Sequence, residues 1–347
     1  MSQDVLEALT QQMIASQQGK MVDFIWQGGE PTLIGLDFFR EIHRLQNQHA
    51  SSQMVINNAL QTNGITLTPA WCRFLRDNKF LVGISLDGPP NLHDPYRHDR
   101  MGRSQYDRLM RSIRLVKQHH IEFNILCCVH SKNVFHPLEV YRFLRDVIGA
   151  QFIQFIPILQ KKPISDGAKT DTLTDFSVEA EAYGTFLSTI FDEWVQSDVG
   201  NVFVQLFDNC LGVWSGHPST LCIFSETCGR SLVLEHNGDL YACDHFVDPN
   251  HRLGNIIDTP IIQLIESSQQ KAFGQAKRNT LPQVCLDCDV RFICNGGCPK
   301  NRGADDLNIL CAGYKNFFHH IDQPMQIMRD LLFNQHAPAE IMQMRWL

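Results

Sequence analysis

The sequence predicts an α/β protein: a parallel barrel or open sheet, followed by a smaller loop-rich unit in which ligands substitute for part of a hydrophobic core. Three observations carry this. Helical and extended patterns alternate with short turns over about the first 160 residues, as a parallel sheet covered by helices requires. Three successive strand ends carry polar motifs: Gln27-Gly28-Gly29-Glu30-Pro31, Gln61-Thr62-Asn63-Gly64 and Ser85-Leu86-Asp87-Gly88. Any one of them is what a tight turn needs, but three in succession mark a site, because chemistry in such folds gathers at the carboxyl ends of the strands. Finally, eight cysteines crowd between residues 222 and 311.

The elements follow in order. Residues 2–18 place Val5, Leu6, Leu9 and Met13 on one helical face. Residues 21–26 ("MVDFIW") are a short apolar strand, stopped by "QGGEP", where two glycines and a proline force a turn. Residues 36–48 read as helix and 54–64 as a strand ending in Asn63-Gly64. Residues 68–78 are a helix with Thr68 as its N-cap, and 80–88 a strand with a glycine turn. Helices over 104–120 and 134–147 alternate with strands over 121–129 and 151–158. Residues 160–176, polar and holding Pro, Gly and Asp, are a linker or surface loop. Residues 177–197 form a long helix whose Phe186, Ile190 and Trp194 belong to the core. From about residue 215 the texture changes. "SLVLEHNGDLYACDHF" is two strands around Asn237-Gly238, a hairpin signal, with Cys228 leading in and Cys243 leading out. The chain then reads as irregular until a closing helix over 313–333.

Composition narrows the function. The chain has 347 residues, 44% hydrophobic and 19% charged, which suits a soluble protein of one large or two medium domains. A net charge of −7 without a basic run argues against nucleic acid. No apolar run reaches the roughly 18 residues of a membrane helix. Twelve cysteines without a secretory signal pattern point to a reducing cytoplasm.

The cysteine pattern is C-x5-C-x14-C-D-H-F, then C-x2-C-x5-C-N-G-G-C-P-K, then a last cysteine in "ILCAGY". The residues are Cys222, Cys228, Cys243, Cys285, Cys288, Cys294, Cys298 and Cys311, enough for two sets of four thiolates. Disulfides belong to short secreted chains. Two zinc ribbons remain open, because C-x2-C suits them. Iron–sulfur clusters are favoured by the interleaving: Cys298 follows Cys294 too closely for one simple ribbon. Gly296 and Gly297 leave amides free to approach sulfur, which tunes clusters. Cys72, Cys127, Cys128 and Cys210 lie in apolar segments and read as small core residues.

Together, "WQGGEPTL", "LQTNG", "GISLDGP…HDPYR", "QFIPI", "GDLYACDHFV", "LGNI" and "CLDC…CNGGCPKNR…LC" resemble the anaerobic sulfatase-maturating enzymes over residues 20–330. These are radical S-adenosylmethionine (SAM) proteins with a carboxyl-terminal SPASM domain. The resemblance implies a (β/α)6-type barrel over 1–160, a linker and connecting helix over 161–214, a SPASM domain over 215–312 and a last helix over 313–347. It implies oxidation of a cysteine or serine in a sulfatase polypeptide to Cα-formylglycine. A 5′-deoxyadenosyl radical takes a hydrogen, a base takes a proton, and two auxiliary [4Fe–4S] clusters take the surplus electron. An external electron donor is implied as a partner. By the same resemblance, Cys222, Cys228, Cys243 and Cys298 hold one cluster, and Cys285, Cys288, Cys294 and Cys311 the other. Asp244 matches the base, and anchorage by its neighbour Cys243 suits a group that must meet its proton within hydrogen-bond distance. Gly28, Gly29 and Glu30 match the loop that holds the methionine part of SAM, Ser85 and Arg97 further SAM contacts, and Gln27 a residue near the peptide. An arginine fork suits a carboxylate.

One departure is large. No C-x3-C-x2-C triplet, the site of the cluster that splits SAM, occurs in the sequence. In the family it follows the first barrel strand, so the expectation is a partial barrel without that strand, with an exposed sheet edge and no radical generation on its own. The alternatives are a non-catalytic iron–sulfur fragment that binds peptide or carries electrons, and another SPASM peptide maturase.

Overall fold

The computed structural model describes residues 1–162 and 172–344, so the linker expected over 160–176 lies partly outside the described residues. The first half alternates as predicted. α1 (Gln3–Ser16) opens on Ser2, whose hydroxyl accepts from the Val5 amide. β1 (Met21–Trp26), α2 (Leu36–His49), β2 (Val55–Thr62), α3 (Pro69–Asp77) and β3 (Leu81–Ser85) follow. Thr68 caps α3 by accepting from the Trp71 amide. A single turn, α4 (Pro90–His93), precedes α5 (Tyr106–Gln118), β4 (Phe123–Val129), α6 (Pro137–Arg142) and β5 (Phe152–Pro157). The helix expected over 134–147 is divided: a 3-10 turn (Asn133–Phe135) precedes α6 and a π turn (Phe143–Val147) follows it. Pro137 is the reason, since it lacks an amide and disfavours helical backbone at His136, where φ is −126°.

α7 (Ala180–Ser197) buries Phe186, Ile190 and Trp194 as its stripe predicts. β6 (Phe203–Val204) and α8 (Gln205–Trp214) were not anticipated, because two strand residues are too few to show a period. Strands β1 to β6 lie in chain order in one sheet. The pairs β1–β2, β4–β5 and β5–β6 are parallel, as an α/β fold requires. Beyond residue 215, β7 (Val233–Leu234) and β8 (Asp239–Tyr241) form the predicted hairpin, and β9 (Arg252–Asn255) adds a third antiparallel strand. The region expected to be irregular holds α9 (Ile261–Ile265), α10 (Ser268–Asn279), α11 (Gln283–Leu286) and α12 (Arg291–Cys294). α10, "SQQKAFGQAKRN", has too few apolar residues to display a stripe. α13 (Cys311–Phe333) is followed by a 3-10 turn (Pro338–Gln343) that ends the described elements. Among the described residues no helix is long and apolar enough to cross a membrane.

The chain forms two compact units that alternate along the sequence. One comprises Met1–Gly83, Met110–Glu122 and Thr227–Asn279; the other Ile84–Leu109, Phe123–Glu226 and Thr280–Leu347. In the first, Val5, Leu240, Ile256, Ile261 and Leu264 make one buried cluster. The Gln12 side chain fastens it, donating to the Ile256 carbonyl at 2.8 Å and accepting from the Ile261 amide at 2.7 Å. In the second, α7 and α13 touch backbone to backbone. A Cβ on Gly184 would lie 2.5 Å from the Gly313 carbonyl oxygen, and one on Gly313 would collide with the Ala180 carbonyl. Aromatic contacts flank the crossing, with Tyr183 against Tyr314 and Phe191 against Phe317.

Candidate functional site

Cys285, Cys288, Cys294 and Cys311 all belong to the second unit. Their sulfurs feel one another. Burial pushes the Cys294 thiol up to about 12; the Gly296 amide, hydrogen-bonded to it, works against this, and the charges of Cys311, Cys285 and Cys288 add to it. Cys311 is raised by burial and then by Cys285 and Cys288. The chain reverses after α12 through left-handed Asn295, Gly296 and Gly297, which brings that amide back onto the sulfur. Cys311 is the first residue of α13, where free amides and the helix dipole favour a thiolate. Among the described residues no three His, Cys, Asp or Glu side chains are placed to hold one metal ion. A single zinc draws its sulfurs to about 2.3 Å from one centre. A cubane offers each thiolate its own iron, and four cysteines are the number it takes.

The other four cysteines divide between the units. Cys222, exposed, opens a 3-10 turn (Cys222–Phe224), and Cys298, buried, precedes another (Pro299–Asn301); both are in the second unit. Cys228 and Cys243, half-buried, are in the first. The run into Cys222 is fixed by the buried Asn209 of α8. Its Oδ1 accepts from the Ser219 hydroxyl at 2.9 Å and from the Thr220 and Leu221 amides at 2.9 and 3.3 Å. Asp244 is exposed, and its Oδ1 accepts from Cys243 Sγ at 3.2 Å.

The glycine loop after β1 keeps an open face. Gly28 and Gly29 have φ of +93° and +51°, which side chains resist, and nothing lies within 4 Å of where a Cβ would stand at either. A ligand can therefore meet their backbone directly. Gln27, beside them, is exposed. Glu30 turns its carboxylate onto the protein. Oε1 accepts from the Thr32 amide at 3.1 Å, from the Thr32 hydroxyl and from the Thr62 hydroxyl at 2.7 Å, and Oε2 accepts from the Asn63 amide at 2.7 Å. Glu30 thus latches its loop to the end of β2.

Ser85, half-buried, is the last residue of β3. Arg97 donates to Asp87 from Nε at 2.7 Å and from Nη2 at 3.2 Å. Burial opposes the charge of Arg97, but the charge and hydrogen bonds of Asp87 outweigh it and raise the guanidinium above its ordinary value. Cys72, Cys127 and Cys210 are buried as expected; Cys128 is half-buried, with its sulfur 3.2 Å from Arg97 Nη2. The sequence flagged Ser85-Leu86-Asp87-Gly88 as a motif without a role for Asp87, and it carried no sign of Asn209.

Residues 1–144 match the radical SAM superfamily, and residues 222–289 match the SPASM iron–sulfur cluster-binding domain. The chain is 41% identical to the serine-type anaerobic sulfatase-maturating enzyme of Bacteroides thetaiotaomicron, across 99% of this chain and 86% of that protein. The chain belongs to the anaerobic sulfatase-maturating enzyme family. The cysteine-type member from Clostridium perfringens is 34% identical across 92% of this chain and 86% of its own length. A solved family structure, native anSMEcpe with bound AdoMet and Cp18Cys peptide, superposes with a TM-score of 0.87 at 33% identity, covering 95% of this chain and 92% of that one. As a radical SAM and SPASM protein it belongs to a family of iron–sulfur, SAM-dependent oxidoreductases.

Proposed function

We propose that this chain serves sulfatase maturation, the oxidation of a cysteine or serine of a sulfatase polypeptide to Cα-formylglycine, and is inactive alone, without a C-x3-C-x2-C cluster loop. The observation that carries the reading is the gathering of Cys285, Cys288, Cys294 and Cys311, with the Gly296 amide on the Cys294 sulfur, in a chain 41% identical to a sulfatase-maturating enzyme. These four would hold one auxiliary cluster, and Cys222, Cys228, Cys243 and Cys298 the other. The SAM-binding part is assigned to residues 1–160 and the SPASM part to 215–312, joined through 161–214, with 313–347 as the closing helix. When bound and supplied by an external electron donor, SAM and the clusters provide the hydrogen abstraction and carry off the surplus electron. Gly28 and Gly29 offer their backbone to the methionine part, Glu30 keeps their loop in place, Ser85 and Arg97 supply polar contacts, and Gln27 faces the peptide. Asp244 accepts the target proton. Its Oδ1 is held by the Cys243 S–H, a donor that a thiolate ligand no longer has, so ligation frees that oxygen for the substrate.

Anaerobic reconstitution is expected to yield about eight iron and eight sulfide per chain, from two four-iron clusters of four thiolates each. Two zinc and no sulfide would remove the reading. The activity test uses sulfatase peptides carrying cysteine or serine at the target position, with SAM and a strong reductant. Since residues 1–347 hold no C-x3-C-x2-C triplet, the test form carries such a loop joined upstream. The chain as written serves as control and is expected to release no 5′-deoxyadenosine. Formylglycine in either peptide, seen by mass, supports the proposal. Release of 5′-deoxyadenosine with both peptides unchanged would make the chain a maturase of some other peptide.

A further inference from the structure

Asp87 lies two residues beyond the end of β3 and is 1% exposed. It is held from four directions. Its carboxylate accepts from Arg97 Nε and Nη2 and, at 2.8 Å, from the Cys128 amide at the end of β4. Its own amide donates to His93 Nδ1 at 3.2 Å, and its carbonyl accepts from Asn133 Nδ2 at 3.0 Å. His93 can take the acceptor role because burial keeps it neutral, with its pKa pushed down to about 4.

A guanidinium has five N–H donors in a fixed plane. Here the Nε–Nη2 edge is occupied by Asp87, and Nη2 also meets Cys128 Sγ. Nη1 makes no hydrogen bond with the described residues, and the Arg97 side chain is 30% exposed. An ion pair that served only to tie the chain near residue 97 to β3 would be met equally by a lysine. A fork gripped along one edge by a buried carboxylate does something else: it fixes the direction of the free end.

We propose that Asp87 is a positioning residue for SAM, holding the Arg97 fork by one edge so that its Nη1 end is presented to the SAM carboxylate. The inference rests on the assignment of Arg97 to SAM made above, and the test separates the two. Affinities of the full chain for SAM and for decarboxylated SAM are measured by equilibrium dialysis. The unmodified protein is expected to prefer SAM by about 10- to 100-fold, as a charge-assisted contact allows. Asp87→Asn keeps an acceptor for the Cys128 amide but releases the grip. It should bind decarboxylated SAM about as well as before, which shows an intact site, while its preference for SAM falls below roughly threefold. Should Asp87→Asn fail to fold, Asp87→Glu keeps the charge, displaces the fork by one methylene and is expected to lose the same preference. Full preference in either folded variant, or equal loss of both ligands in Asp87→Asn while its thermal melt is unchanged, makes Asp87 merely structural and overturns the proposal. Arg97→Gln that still prefers SAM, or an unmodified protein that shows no preference, removes Arg97 from SAM binding altogether.

Discussion

Asp244→Asn, made in the form that carries a C-x3-C-x2-C loop joined upstream, is expected to abolish formylglycine formation while the clusters assemble as before. The amide keeps the shape of the carboxylate but cannot accept a proton near neutral pH, so general-base assistance worth roughly 10²–10⁴ in rate is lost. The substitution is mild for the fold: Asp244 is exposed, and its side chain contacts the adjacent Cys243 sulfur. Product is followed by peptide mass and cluster content by iron analysis and visible absorption. Near-normal product with full iron would take Asp244 out of the mechanism.

Gly313→Val is expected to cost stability at or beyond the upper end of the ~1–3 kcal/mol typical of overpacking. The clash at Gly313 is with backbone, the Ala180 carbonyl and Gly184, so no side-chain rotation relieves it and α7 and α13 must separate. Cys311 is two residues away in the first turn of α13, so the separation also moves a proposed ligand. Thermal unfolding and iron per chain measure the two effects together. A melting temperature and iron content equal to those of the unmodified protein would mean that the crossing can open without strain.

The strands β1 to β5 were legible because short extended runs alternate with helical ones and most end near a glycine, proline or asparagine, and α7 because its aromatic stripe has the helical period. β6 and β9 were too short to show a period, and α10 too polar. The thiol pattern and the glycine loop could be read because those residue types have few other uses at such spacing. The partnerships could not be read. Glu30 reaches Thr62 and Asn63, Arg97 is gripped by Asp87 and Cys128, and Asn209 gathers residues 219–221. Each joins common residue types across a gap set by the fold, and a carboxylate gives no sign in the sequence of whether it faces a ligand or its own loop.

The alternation of the two units along the chain bears on synthesis. Val5 on α1 is buried with Leu240, Ile256 and Ile261, which emerge about 235 residues later. At roughly 5–20 residues per second the ribosome needs on the order of 10–50 s to deliver them. For that interval the apolar face of α1 on the nascent chain has none of these partners, although β1 and β2 are already complete. A polypeptide released before Leu240 never acquires them. Ile14 of α1 meets Val22 and Phe24 as soon as β1 is made, whereas the Val5 face is covered only when the carboxyl-terminal segment of its own unit arrives.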